Sequence, residues 1–375
     1  MKISEVKEDC RFFKGDIPCR PSKIYNVICN NCNYYNKIKE KILIIKLGAA
    51  GDVIRTTPLL YPLYREYTNS FIVWLTNYPE LVPLKKFNEE FKCVSVGVDL
   101  IKEFNLNNII YLKEINFDIL INLDKDNEAI ALTKSINANK KFGFILKDRF
   151  CYPADQFSQH KYLTGIFDIL SKENKKSYQE EIFEICGFKF QNEKYILNIE
   201  TDLSVDWNLD KSKLIIGLNT GCGNRWVSRQ WKEEYWVELI KLLKDENDIE
   251  IVLLGGSQEH ERNLKISDKT KVKYFGNFEL KKFINLVNCC DIIVTPVTMT
   301  LHIAIALNKY VILMNNIFNP NEFELYNNGV IIMPDKDCKC YYSPKCINKE
   351  YNCMDYLPPQ KIYNAIKEYR KNRKK

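Results

Sequence analysis

"KLGAAGDVIRTTP", Lys46 to Pro58, decides how the chain is read. It follows the apolar run Ile42–Ile45 and leads into a stretch of helical character. An apolar run of that length, stopped by glycine, reads as a buried strand ending in a tight turn. Gly48 and Gly51 would allow positive φ and close backbone approach, and the next helix would start near Asp52 or Val53. Asp52 then has two readings, the N-cap of that helix or a general base at the mouth of a cleft. The spacing is G-x-x-G-D, so the dinucleotide fingerprint G-x-G-x-x-G is absent.

The same strand-then-helix alternation continues outward from this stretch. "FIVWL" and "FDILINL" read as further buried strands in the first half, and "KLIIGLN", "IEIVLLGG", "VKYFG", "DIIVTP" and "YVILMN" in the second. Helical periodicity lies between them, as in Glu233–Leu243 and Leu280–Val287. Alternating βα units imply an α/β protein with parallel sheets covered by helices. The polar stretch at 199–213 reads as a linker, and a last helix follows Pro358 and Pro359 with Ile362, Ala365, Ile366 and Tyr369 on one face. The expected organisation is a cysteine-rich segment (1–40), two Rossmann-like domains (41–200 and 201–357), and a terminal helix with a basic tail (358–375).

Composition bounds the function. The chain has 375 residues, 46% hydrophobic and 13% aromatic, enough for real cores and too much for disorder. A net charge of +7 spread along the sequence suits anionic small molecules or an acidic membrane surface and does not mark a nucleic-acid binder. The basic run from Lys367 reads as a solvated end. No secretory signal or membrane-spanning run is expected, which points to the cytoplasm, where fourteen cysteines would not form disulfides.

Three further stretches carry candidate chemistry. In "GLNTGCGNRWVSRQWKEEYW", a strand ends at Asn219 and a glycine loop follows with Thr220, Gly221, Arg225 and Arg229. Arginine beside such a loop suits a diphosphate, while Trp226, Trp231 and Trp236 read largely as packing. "LLGGSQEHERN" ends a strand at Gly255 and Gly256, and Glu259 or Glu261 could hold ribose hydroxyls or merely complement a helix dipole. Thr298, Thr300 and His302 surround another helix start, an anion-friendly position, with a structural role as the alternative for the histidine.

Taken together, "ILIIKLGAAGDVIRTTPLL", "FDILINLD", "NTGCG…RQW", "VLLGG…E" and "TMTLHIAIAL", in this order over about residues 41–357, resemble glycosyltransferase family 9, the ADP-heptose heptosyltransferases. The resemblance implies a GT-B fold, two Rossmann-like parallel-sheet domains facing a cleft, and an inverting transfer without a catalytic metal. It implies a nucleotide-diphosphate sugar donor of the ADP-heptose type and a glycan or protein acceptor, while the mild positive charge suits peripheral contact at the inner face of the membrane. By motif position it implies Asp52 as catalytic base and Arg229 on the donor diphosphate. It places Glu259 near the ribose, with Glu261 as the alternative, and Thr298 and His302 near the diphosphate and sugar. Two positions depart from the family pattern: Val297 stands where an aspartate is usual, and "NNIFNP" (315–320) replaces Phe-Gly-Pro-Thr. A non-catalytic or donor-altered GT-B protein is therefore the alternative. The stretch 160–188 also resembles part of this family and is expected in the first domain, either shaping the acceptor side or covering the sheet as a helical hairpin.

Eight cysteines fall in two clusters, Cys10, Cys19, Cys29 and Cys32, and Cys338, Cys340, Cys346 and Cys353. Four thiolates in a small loop-rich segment suit structural Zn or Fe, with ordinary buried thiols as the alternative. Cys93, Cys151, Cys186, Cys222, Cys289 and Cys290 read as core fillers.

Overall fold

The computed structural model describes residues 1–84, 94–99, 106–197 and 205–373. Cys93 and the first part of the expected linker lie outside the described residues. The chain divides into two compact units, Met1–Tyr162 with Glu180–Asn198, and Leu163–Gln179 with Ile199–Lys375.

In the first unit, the short helix α1 (Arg20–Tyr25) precedes β1 (Lys41–Ile45), α2 (Ala50–Thr56), α3 (Leu60–Glu66), β2 (Phe71–Thr76) and β3 (Val94–Asp99). Then come α4 (Leu106–Glu114), β4 (Phe117–Asn122), α5 (Asn127–Ser135), β5 (Ala138–Lys147) and β6 (Phe150–Pro153). The sheet order is β3-β2-β1-β4-β5-β6, parallel except for the β5–β6 hairpin. Ile42, Leu43, Ile44 and Ile45 are all fully buried, as a central strand covered on both faces requires. Because β2 and β4 flank β1 on opposite sides, the direction of winding reverses between β1 and β4. In open α/β sheets that reversal opens a crevice beyond the strands' carboxyl ends, where ligands bind.

Three helices follow, α6 (Gln159–Ile166), α7 (Asp168–Glu173) and α8 (Tyr178–Ile185). The middle of this stretch belongs to the second unit, not to the first as expected. The reason is a set of polar ties that helical periodicity does not reveal. The buried side chain of Asn319 donates to the Ser171 and Asn174 carbonyls at 2.7 Å each, and the Ser171 and Tyr341 hydroxyls lie 2.8 Å apart.

The second unit continues with β7 (Leu214–Asn219), α9 (Glu233–Lys244), β8 (Ile249–Leu254), α10 (His260–Thr270), α11 (Leu280–Asn288), β9 (Ile292–Pro296), α12 (Met299–Ala306), β10 (Tyr310–Met314), β11 (Gly329–Ile332) and α13 (Pro359–Arg373). Its order is β11-β10-β9-β7-β8, and all its paired strands are parallel, with the reversal between β7 and β9. "VKYFG" is not a strand. It makes one isolated bridge, Val252 to Lys273, before Gly276 turns at a φ of +99°.

Ile362 and Ile366 of α13 are buried in one cluster with Leu239 and Leu243 of α9. The terminal helix thus packs on the second unit, and its basic end is not simply solvated. Arg370 pairs with Glu246 at 2.8 Å and Asp248 at 2.5 Å. Of the scattered cysteines, Cys186, Cys222 and Cys290 are buried, while Cys151 and Cys289 are partly so. Burial pushes the Cys186 and Cys290 thiols well up, as expected of inert core thiols.

Candidate functional site

In the first unit the crevice between β1 and β4 is built around one buried ion pair. Lys46, just past β1, contacts Asp124, just past β4, and its Nζ also donates to the Gly48 carbonyl at 2.5 Å. The other carboxylate oxygen of Asp124 accepts from the Leu47 amide at 2.5 Å. Burial pushes the Asp124 carboxyl up, against the pull of Lys46 and the Leu47 amide. Asn122 locks the same turn, donating to the Asp124 carbonyl at 2.9 Å and accepting from the Asp124 amide at 3.1 Å.

This clamp delivers α2, which starts at Ala50 with Ala49 as its N-cap. Asp52 therefore lies in the first turn and is not the cap. Its carboxylate, about a third exposed, pairs with Arg55 one turn on at 2.9 Å. Gly51 is a helical residue, and neither it nor Gly48 has a positive φ. A Cβ on Gly48 would meet Tyr78 at an ordinary 3.5 Å, so that position does not require glycine for close approach.

In the second unit the crevice between β7 and β9 is held by Asn219. Its amide donates to Thr295 Oγ1 at 2.9 Å, Thr298 Oγ1 at 3.1 Å and the Gly221 carbonyl at 3.2 Å. Thr298 caps α12 by accepting from the Thr300 amide at 3.2 Å, and Thr300 and His302 are buried in that helix. Thr220 Oγ1 meets Asn263 at 2.5 Å.

Glu259 is buried beneath the glycine loop, accepting from the Gly223 amide at 3.0 Å and the Gly256 amide at 2.9 Å. A Cβ on Gly221 would sit 2.0 Å from Glu259 Cγ, and one on Gly255 2.7 Å from Glu259 Cβ. These two glycines make room for the carboxylate that shapes the loop. Glu261 is exposed.

Arg229 is the outstanding group. Its side chain is buried, and its Nη1 donates to the backbone carbonyl of Val297. The guanidinium lies over the Trp226 ring at 5.4 Å and the Phe318 ring at 5.3 Å. Among the described residues no carboxylate pairs with it, and its Nε has no hydrogen-bond partner. Burial draws its pKa down to about 10, so it stays charged at neutral pH. A buried cation without a counter-ion is costly, and an incoming anion relieves that cost. Phe318 comes from the departing loop 315–320, whose Asn316 also donates to the Ser228 carbonyl at 2.8 Å. Arg225 is exposed, and Trp231 and Trp236 pack edge to face in the core at 4.8 Å.

The C-terminal cysteines lie behind this group. Ser228 donates through its amide to the Pro344 carbonyl at 3.1 Å and through its hydroxyl to the Ser343 carbonyl at 2.7 Å. In that loop Cys340 Sγ is 3.5 Å from Cys346 Sγ, and Asn316 donates to Cys353 Sγ at 3.4 Å. The donor set is four sulfurs, which suits a thiophilic metal. Among the described residues, however, no group of three or more His, Cys, Asp or Glu side chains stands ready-made to hold an ion. Sequence reasoning missed Lys46, Asp124, Asn219 and Phe318. The first three had a signal, a polar residue closing an otherwise apolar strand; Phe318 had none.

A family model, glycosyltransferase family 9 (heptosyltransferase), matches residues 109–352. The chain belongs to glycosyltransferase family 9. It is a glycosyltransferase of heptosyltransferase type. It is 23% identical over 336 residues to lipooligosaccharide heptosyltransferase 2 of Campylobacter jejuni serotype O:6, covering 85% of this chain and 95% of that protein. A family 9 glycosyltransferase from Veillonella parvula superposes with a TM-score of 0.66 at 16% identity, covering 89% and 98% of the two chains. The ADP-heptose LPS heptosyltransferase II of E. coli superposes with a TM-score of 0.59 at 17% identity, covering 88% and 98%. The GT-B fold of the family is the fold of this chain. No helix among the described residues is long and apolar enough to cross a membrane.

Proposed function

We propose that this family 9 enzyme transfers a heptose, with inversion, from an ADP-heptose-like donor to a hydroxyl of a surface glycan or protein. The observation that carries the reading is Arg229, a buried cation with no carboxylate partner among the described residues, beside a glycine loop and the start of α12. In the reaction the acceptor oxygen bonds to the anomeric carbon as the bond from that carbon to the diphosphate oxygen breaks. Asp52 takes the acceptor's proton, and the diphosphate leaves with the electron pair, neutralised by Arg229. Arg55, 2.9 Å from the Asp52 carboxylate, fixes the direction in which that carboxylate points. Thr220, Gly221, Gly255, Gly256 and Glu259 form the donor loop, with the ribose placed beside Glu259, and Thr298, Thr300 and His302 serve the phosphates and sugar.

Chemistry on this reading needs no metal, while structural Zn or Fe sits at the cysteine clusters. The reaction belongs in the cytoplasm, with peripheral contact at the inner face of the membrane, and flotation of the full chain with anionic vesicles tests that contact. The test of function is ADP release from ADP-heptose with and without a lipopolysaccharide-core acceptor, followed by mass spectrometry of the product. Val297 favours a second reading, since its side chain offers no acceptor to a sugar hydroxyl. If another nucleotide sugar in a panel stabilises the protein while ADP-heptose does not, the donor is altered; binding without turnover marks a non-catalytic member.

A further inference from the structure

The segment at 1–40 is folded without a core. Of these residues, all described, Pro21 alone is buried. Ile3 is 82% exposed and Ile24 55%, so the apolar side chains do not cluster inward. Regular structure amounts to α1 and two short 3₁₀ turns. Backbone bonds from Arg11 to Asn36 at 2.9 Å and from Ile38 to Asp9 at 2.7 Å close the segment into a loop. Ordering so many residues costs about 1–2 kcal/mol each in backbone entropy, and small modules without a core use disulfides or a metal to offset it.

The structure supplies a candidate for the second. Cys10, Cys19, Cys29 and Cys32 all line one cavity of about 200 Å³. None of the four is in a disulfide. No carboxylate or imidazole lines the cavity, so the available ligand set is sulfur alone. Lys7 and Lys14 line it too, and two cations match the double negative charge that four thiolates leave on a divalent ion. The Cys29–Cys32 pair has the two-residue spacing that lets one turn offer two sulfurs to one ion. The sulfurs line the wall without meeting at a point, so binding must draw them inward. A segment with a single buried residue can make that move.

We infer that Cys10, Cys19, Cys29 and Cys32 bind one Zn²⁺ as a tetrahedral all-thiolate site, and that this ion is what folds residues 1–40. Binding forms four Zn–S bonds and releases four thiol protons to solvent. The inference deepens the structural-metal reading of the cysteine clusters and rests on it; it is independent of the transferase reading.

The experiment uses the full chain without a histidine tag, purified anaerobically with reductant. Zinc and iron are measured by mass spectrometry in wild type, in Cys29→Ser with Cys32→Ser, and in Cys338→Ser with Cys353→Ser. The expected result is one zinc equivalent lost from the first variant. Chelation should make 1–40 a fast trypsin target while the sheets stay resistant. Equal metal content in wild type and the first variant overturns the inference, and zinc lost from the second variant alone confines the metal reading to the C-terminal cluster. Iron with acid-labile sulfide that depends on Cys29 and Cys32 overturns the zinc assignment. If the first variant does not fold, Co²⁺ is titrated into metal-stripped Cys338→Ser with Cys353→Ser protein. Thiolate-to-cobalt absorption supports the site, and its absence overturns it.

Discussion

Replacing Arg229 by Met separates a binding cation from a structural one. Burial shifts this guanidinium from 12.5 to about 10, a desolvation penalty of order 3 kcal/mol carried by the ligand-free protein. Met removes that penalty and keeps an unbranched chain between Trp226 and Phe318. Against the gain stand two ring contacts, each about 0.5–2 kcal/mol, and the charged hydrogen bond to the Val297 carbonyl, about 1.5–3 kcal/mol. The opposing effects are of similar size, so the ligand-free variant should melt within a few degrees of wild type. Binding has no such cancellation. Losing a charge-assisted contact to a diphosphate should weaken ADP by roughly ten- to a hundredfold, about 1.5–3 kcal/mol. Calorimetry with ADP and a melting curve on the same preparation check both halves. A variant that melts far below wild type but keeps its ADP affinity would refute the reasoning, because Arg229 would then be holding the loop and not a ligand.

Asp52→Asn should lower the transfer rate by about 10²–10⁴-fold. Its ion pair with Arg55 is partly exposed, so the melting temperature should stay near wild type; a rate within a few-fold of wild type would end the base assignment. Gly221→Ala should destabilise the loop and abolish ADP binding, since the new methyl would overlap Glu259, whereas Gly48→Ala should be tolerated beside Tyr78; equal melting temperatures and ADP affinities for the two would contradict this. Lys46→Met should cost about 3–5 kcal/mol by leaving Asp124 buried without its cation, read by urea unfolding, and a neutral result would show that the clamp holds nothing.

The strands with unbroken apolar runs were legible, because a central parallel strand must be apolar on both faces; Ile42–Ile45 and Ile292–Val294 are examples. "VKYFG" has a similar composition but lies where the chain only grazes the sheet, and its Phe275 packs on Trp207 at 5.1 Å instead. The short edge strand β6 was not legible, having half-exposed side chains and no continuous run. At the site, Arg229 and Asp52 could be singled out by residue type and spacing, but their neighbours could not. Helix α2 starts two residues earlier than glycine spacing implied, since an alanine can stand at the cap when packing fixes the turn. Contacts such as Lys46 to Asp124 or Asn319 to Ser171 join residues 78 and 148 positions apart. No local periodicity encodes them.

The assignment of Leu163–Gln179 to the second unit has a practical meaning for anyone dissecting the enzyme. The chain passes between its units three times, near residues 162, 179 and 198, so no single cut yields two complete halves. A fragment ending near residue 200 would carry α7 without the Asn319 and Tyr341 side chains that seat it. The complementary fragment would leave those side chains without their partners at 171–174. Split-protein reconstitution or domain grafting should therefore move 163–179 together with the C-terminal half.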